Sequence, residues 1–211
     1  MLIGLTGHAG AGKDSAAAVL CAGGWHSIAF ADALRQEVTD AWGIDQRLLT
    51  DRNHKDRPAP QLYAGSVENT SWLRWVSVNG ISLIEPRSPR WVMQQWGSFR
   101  RHSDALHWVR PVAYWVCYQR QHGHRRLVVT DVRLANEVTI LRGLGGRIAR
   151  VHRPDLVGLP ADTAGHESEA HTQIAADGDI HNDGDLAALS ADVWRVVLQL
   201  AQANTSTKDC A

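Results

Sequence analysis

The sequence predicts an α/β fold: an open, mainly parallel sheet with helices on both faces. Three observations carry this expectation. Short apolar runs alternate along the chain with segments of helical period. The first run ends in a glycine-rich turn that opens directly into an alanine-rich helix. The polar motifs described below each follow a predicted strand, at the carboxyl edge where open parallel sheets place ligands.

Leu2–Thr6 is short and wholly apolar until its last residue, the pattern of a strand buried on both faces. Residues 14–20 read as a helix closed by Gly23 and Gly24, and residues 26–30, HSIAF, as a second strand. In residues 31–44, Leu34, Val38, Ala41 and Trp42 recur at helical spacing and Gly43 stops the helix. Residues 51–60 are polar and broken by proline, so a loop is expected. Residues 61–88 show no clear period, and Asn79-Gly80 marks a small hairpin there. Helices are expected over residues 89–101 and 104–121; Pro111 either kinks the second or starts a new one. RRLVVTD (125–131) is a buried strand, residues 136–142 a helix, and GGRIARVHRP another strand stopped by Pro154. Residues 155–177 read as a lid, GDIHNDGD as a brief strand and turn. Leu186, Leu189, Val193, Val196, Val197 and Leu200 stripe the last helix, and the tail is expected to fray. The 211 residues form one domain with two inserts, residues 31–121 and 153–177.

Lys plus Arg number 22 and Asp plus Glu 22, a net charge of +0. Duplex binding rests on a basic excess, so no stable nucleic-acid binding is expected. Cys21, Cys117 and Cys210 form no C-x-x-C pair, which points to a reducing cytoplasm. MLIGLTG lacks the basic and long apolar regions of a signal peptide, and no apolar run is long enough to span a bilayer. The nine tryptophans, most of them between Trp72 and Trp115, are read mainly as core. A homodimer stays open.

GLTGHAGAGKDS nearly spells a phosphate loop. Gly7, Gly10, Ala11 and Gly12 are small enough for backbone N–H groups to converge on a phosphate chain, and the helix N-terminus adds positive potential. Lys13 then reaches the β- and γ-phosphates of ATP. Asp14 stands where the common loop has Ser or Thr. A carboxylate there can hold Mg²⁺ directly or through water, or it can simply cap the helix; Ser15 suits an α-phosphate oxygen. Asp32 and Arg35 share a helix face, fit to grip a second substrate or each other. Arg90, Arg100, Arg101 and Arg110 lie among Gln94, Gln95 and tryptophans, a set that can clamp phosphate and stack on a base but equally a solvated helix face. Asp131 ends a strand, the place of the acid that supports Mg²⁺, followed by Arg133 and Asn136. Arg150 and Arg153 precede the lid and can deliver a cation to transferring charge. His166, Glu167 and Glu169 lie in that lid, but HESEAH is not H-E-x-x-H and no zinc site is expected. Asn182 and Gly184 follow the last predicted strand, where P-loop kinases often let the backbone of a turn contact adenine.

Five segments, GHAGAGKDS, FADALRQEV, SPRWVMQQWGSFRR, TDVRLANEV and IHNDGDL, together resemble the phage-type deoxynucleoside monophosphate kinases, a branch of the P-loop kinases. The G-K-D loop is itself a mark of that branch and of the animal-type phosphomevalonate kinases, and TDVRLANE is the most specific segment. The resemblance implies a three-layer P-loop NTPase fold with a monophosphate-binding insert and a lid. It implies ATP on Gly12, Lys13, Asp14 and Ser15. It implies a deoxynucleoside monophosphate near Asp32, Arg35, Arg90, Gln94, Arg133 and Asn136, with Mg²⁺ on Asp14 and Asp131. Ala33 and Arg35 depart from the family's usual F-A-D-P-L-K, and Leu134 and Ala135 from D-V-R-F-P-N-E; both changes keep the charged members. The expected activity is transfer of the ATP γ-phosphoryl group to a deoxynucleoside 5′-monophosphate, in the host cytoplasm if the chain is phage-encoded, with Lys13, Arg133 and Arg153 catalytic. Two other readings stand beside it: a dephospho-CoA-type or other small-metabolite kinase, and a P-loop nucleotide-binding module without catalysis.

Overall fold

The computed structural model describes residues 1–51, 53–154 and 174–206. Leu2–Thr6 (β1) is buried at every position and forms the centre of a sheet. Around it stand His26–Ile28 (β2), Leu127–Val129 (β3), Arg147–His152 (β4) and Gly178–His181 (β5). The order is β2-β3-β1-β4-β5 and every pairing is parallel. Side chains alternate across the sheet. Ile3, Leu5, Val128, Ala149, Val151 and Ile180 pack with Lys13–Ala22 (α1) and Leu186–Ser206 (α8), through Ala16, Leu20, Leu189, Val193 and Val196. Leu2, Leu127, Val129 and Ile148 pack on the other side with Val109–Gln121 (α6) and Ala135–Gly143 (α7), through Val112, Val116 and Leu141. The result is three layers, helix–sheet–helix. The chain leaves β1 toward β2 and leaves β4 toward β5, in opposite directions. The carboxyl ends of these two neighbours therefore form a topological switch point.

The edge strand β5 is closed on its outer side by α8. The His181 N–H donates to the Asp192 carboxylate at 2.7 Å, and Arg195 donates to the Asp179 carbonyl at 3.1 Å. Asp192 and Arg195 also pair with each other at 2.5 Å. Among the described residues no helix is long and apolar enough to cross a membrane.

Chain packing divides into two compact units, Met1–Phe30 with Val109–Ala211 and Ala31–Trp108. The second contains most of Phe30–Trp42 (α2), then Arg47–Thr50 (α3), a 3-10 turn at Ala64–Ser66, Thr70–Val78 (α4) and Pro89–Ser103 (α5). Its core is aromatic: Trp72 and Trp96 are fully buried with ring centroids 5.1 Å apart, and Phe99 closes on both. Buried indoles need partners for their N–H groups. Trp72 donates to the Ala64 carbonyl at 2.9 Å, Trp42 to Tyr63 at 3.1 Å and Trp108 to Gly97 at 3.1 Å.

Three local expectations change. Asn79-Gly80 does not turn a hairpin; it ends helix α4. The Asn69 side chain caps that helix by accepting from the Trp72 N–H at 2.9 Å, and Trp72 and Val76, four residues apart, share its buried face. The helix expected over residues 104–121 begins only at Val109, and of the two readings of Pro111 the fresh start holds, since a proline in the first turn loses no helical hydrogen bond. Strand β2 stops at Ile28, because Phe30 already opens α2. Of the residues expected to form the lid, 155–173 lie outside the described residues, as do residues 207–211 of the tail.

Candidate functional site

The turn between β1 and α1 sits at the switch point. A Cβ at Gly7, whose φ is +137°, would lie 2.4 Å from the Val151 carbonyl oxygen; at Gly12, with φ +100°, it would lie 2.3 Å from the Asn182 side-chain nitrogen. Only glycine fits either position. The turn is thus pressed between the ends of β4 and β5. Asn182 holds it there, donating from Nδ2 to the Ala11 carbonyl at 2.9 Å, while its own N–H donates to the His152 carbonyl at 2.8 Å.

Lys13 opens α1 and is 9% exposed. Its Nζ donates to the carbonyls of Gly7 at 2.6 Å and His8 at 2.8 Å, so the ammonium is drawn inside the ring of the loop. Asp14 and Ser15 follow in the first turn of α1 and are exposed. Gly10 is exposed and has φ +79°; Ala11 is buried.

Asp131 follows β3, the neighbour of β1, and its Oδ1 accepts from the Phe30 N–H at 2.6 Å. The next residue, Val132, donates its N–H to the Leu5 carbonyl at 2.9 Å, which fixes this turn against the end of β1. Arg133 and Asn136 are half-buried. Glu137 organises the turn: its buried Oε2 accepts from the N–H groups of Arg133 at 2.7 Å and Leu134 at 3.0 Å. Burial pushes the Glu137 carboxyl up to about 7, against the pull of these N–H donors and with a further rise from the charge of Asp131. Arg153 follows β4 and is exposed; Gly184 follows β5 and is exposed.

The first unit therefore brings the loop of residues 7–15, Asn182 and the Asp131 turn to the carboxyl edge of one sheet. Asp32, Arg35, Arg90 and Gln94 belong to the second unit. There Arg35 pairs with Asp32 at 2.7 Å, and Arg90 donates to Asp56 at 2.5 Å. The second unit also holds a cleft of about 480 Å³ lined by Glu37, Asp40, Glu68, Asn69, Trp96 and Arg100. Glu37 accepts from Trp96 at 3.0 Å, Arg100 at 2.7 Å and His107 at 2.6 Å. Burial alone would raise its carboxyl; these donors outweigh burial and hold it below the ordinary carboxylate range. Sequence reasoning assigned no role to Glu37 or Glu137. The signal for Glu137 was its place at the first turn of a helix, hidden because Leu134 is not a capping residue type.

The residues of the first unit fit a nucleotide polyphosphate. Its loop is shaped by glycines that leave no room for a Cβ, and a lysine enters it. They also fit Mg²⁺, which takes one or two carboxylates beside phosphate oxygens and water; Asp14 at the start of α1 and Asp131 after β3 are the candidates for that role. Among the described residues no group of three or more His, Cys, Asp or Glu side chains could hold a metal ion by itself.

No family model matches the chain. No curated protein sequence matches it. Among solved structures it is similar to dephospho-CoA kinase from Campylobacter jejuni, at 12% identity and a TM-score of 0.49, over 94% of this chain and 96% of that one. It is also similar to TT1252 from Thermus thermophilus, at 19% identity and a TM-score of 0.49, over 97% of each chain.

Proposed function

We propose that the chain is a P-loop kinase that transfers the γ-phosphoryl group of ATP to a small phosphorylated acceptor. The observation that carries this reading is the glycine loop with Lys13 drawn into it, pinned between β4 and β5, with the Asp131–Arg133 turn on the other side of β1. In this reading the loop amides and Lys13 bind the β- and γ-phosphates, and Ser15 binds an α-phosphate oxygen. Asp14 and Asp131 would hold Mg²⁺, which supplies charge neutralisation on the phosphates. Arg133, its backbone fixed by Glu137, faces developing charge, and Arg153 adds a cation from the start of the lid. Asn182 and Gly184 lie along the base. An acceptor phosphate oxygen is already a competent nucleophile, so positioning and electrostatics suffice without a strong side-chain base.

The motif resemblance supports a deoxynucleoside monophosphate as acceptor, with Asp32, Arg35, Arg90 and Gln94 of the second unit as its candidate binding residues. A dephospho-CoA-type acceptor, the substrate in the Campylobacter protein's name, fits the same machinery at least as well, since the loop and its lysine engage the donor and leave the acceptor's identity to the second unit. A coupled ADP-release assay decides, run with each deoxynucleoside monophosphate and with dephospho-CoA in turn. The expected result is release well above the water background with one of these classes, reduced about 10²–10³-fold by Lys13→Ala. No stimulation by any acceptor would leave a nucleotide-binding module without catalysis.

A further inference from the structure

The cleft of the second unit is built by α2 and α5, the helices that also carry Asp32, Arg35, Arg90 and Gln94, and by the residues that lead into α4. Its volume, about 480 Å³, lies within the range of about 300–1,000 Å³ usual for small-molecule sites. One wall is fixed. Trp96 is buried, and the Arg100 guanidinium lies 5.1 Å over its ring, tied there by Nε donating to Glu37 at 2.7 Å. The Glu37 carboxylate is spent on that tie, on the Trp96 N–H at 3.0 Å and on His107 at 2.6 Å. Among the described residues the two Nη groups of Arg100 make no hydrogen bond, so they remain for a ligand. The other wall offers oxygens. One Asp40 oxygen accepts from Gln36 at 2.9 Å, and the exposed Glu68 carboxylate has no hydrogen bond or ion pair among the described residues.

Three carboxylates, Glu37, Asp40 and Glu68, thus line the cleft against one guanidinium. Such a lining repels phosphate. It suits a flat, uncharged group with N–H donors on one edge, for a carboxylate, and oxygen or nitrogen acceptors on another, for Arg100. Guanine has both, N1–H with N2–H₂ and O6 with N7. Adenine and cytosine offer one amino group beside ring nitrogens that a carboxylate repels, and the single ring N–H of thymine lies between two carbonyls. We propose that this cleft selects guanine in the phosphoryl acceptor, with Glu68 accepting from N1–H and N2–H₂ and Arg100 donating to O6 and N7. Glu68 takes this part because one oxygen of Asp40 is already engaged and both of Glu37 are. The inference rests on the kinase reading only for the group to which guanine is attached, a deoxynucleoside monophosphate; recognition of the base needs the second unit alone.

Titration of dGMP, dIMP, dAMP, dCMP and dTMP into the 211-residue chain without ATP, followed by backbone amide NMR, tests the assignment. The base of dIMP is guanine without its N2–H₂ group. Saturable shifts with dGMP are expected at residues 67–69 and at Trp96 and Arg100, with about tenfold tighter binding than any of the other four. Glu68→Gln replaces two accepting oxygens by one at an exposed position. It should weaken dGMP about tenfold and bring dGMP and dIMP within about twofold of each other, because the lost bond is the one that N2–H₂ makes. No shift at these residues, tighter binding of another base, or a preference for dGMP over dIMP that survives Glu68→Gln would overturn the site. Spermidine that moves the same amides at lower concentration than dGMP would overturn it in favour of a cation site. The kinase reading fails separately: dGMP bound at these amides without stimulated ADP release would leave the guanine cleft standing and remove the catalysis.

Discussion

At the scale of single residues, Asp14 is the departure from the common phosphate loop. It is exposed in the first turn of α1, where negative charge is favoured whether or not a metal is bound. Its candidate role therefore needs a functional separation. Asp14→Ser should keep ATP binding, whereas Asp14→Ala should raise the Mg²⁺ concentration needed for half-maximal ADP release severalfold. An unchanged Mg²⁺ requirement in Asp14→Ala would remove the metal role. Glu137 makes a prediction in pH. Its folded carboxyl stands at about 7 against an ordinary 4.5. The folded state thus holds the proton more tightly, and the resulting stability is full below the unfolded pKa and lost as pH rises through the folded one. Glu137→Gln, which cannot ionise, should cost more stability in urea denaturation at about pH 5 than at about pH 8. A cost independent of pH would show that the carboxyl is not buried in its neutral form. The sequence made the glycines, Lys13 and Asp131 legible because each sits at fixed spacing from a strand end. It could not show Glu137 as the anchor of Arg133, since that depends on a side chain folding back onto its own turn.

At the scale of elements, the sheet strands were readable because apolar runs bounded by glycine or proline have few other uses. The error came at α4, where Asn79-Gly80 was read as a hairpin signal. A helix wins because Asn69 caps it and Trp72 and Val76 bury one face; the aromatic core that rewards that face is assembled from distant segments, including Trp96 and Phe99. Asn69→Ala should cost about 1 kcal/mol in chemical denaturation, the ordinary worth of such a cap. A cost near zero would mean that the tryptophan packing alone holds α4.

At the scale of the whole molecule, each unit has its own core, and the tryptophans divide unequally between them. Trp42, Trp72, Trp75, Trp91, Trp96 and Trp108 belong to the second unit, and only Trp25, Trp115 and Trp194 to the first. Tryptophan fluorescence therefore reports mainly on the second unit, while far-UV circular dichroism reports on both. If the loop of residues 7–15 in the first unit binds ATP as proposed, the dichroism transition in urea should move with ATP to higher denaturant than the fluorescence transition. Superimposable transitions with and without ATP would show that the two cores melt as one. The closure of β5 by Asp192 and Arg195 reaches further still. An uncovered parallel edge is a template on which another chain can add a strand, and on this one the His181 N–H and the Asp179 carbonyl are already taken by the paired Asp192 and Arg195. Strand addition by another copy along that flank has first to displace these two bonds, and among the described residues the other border of the sheet is the three-residue β2.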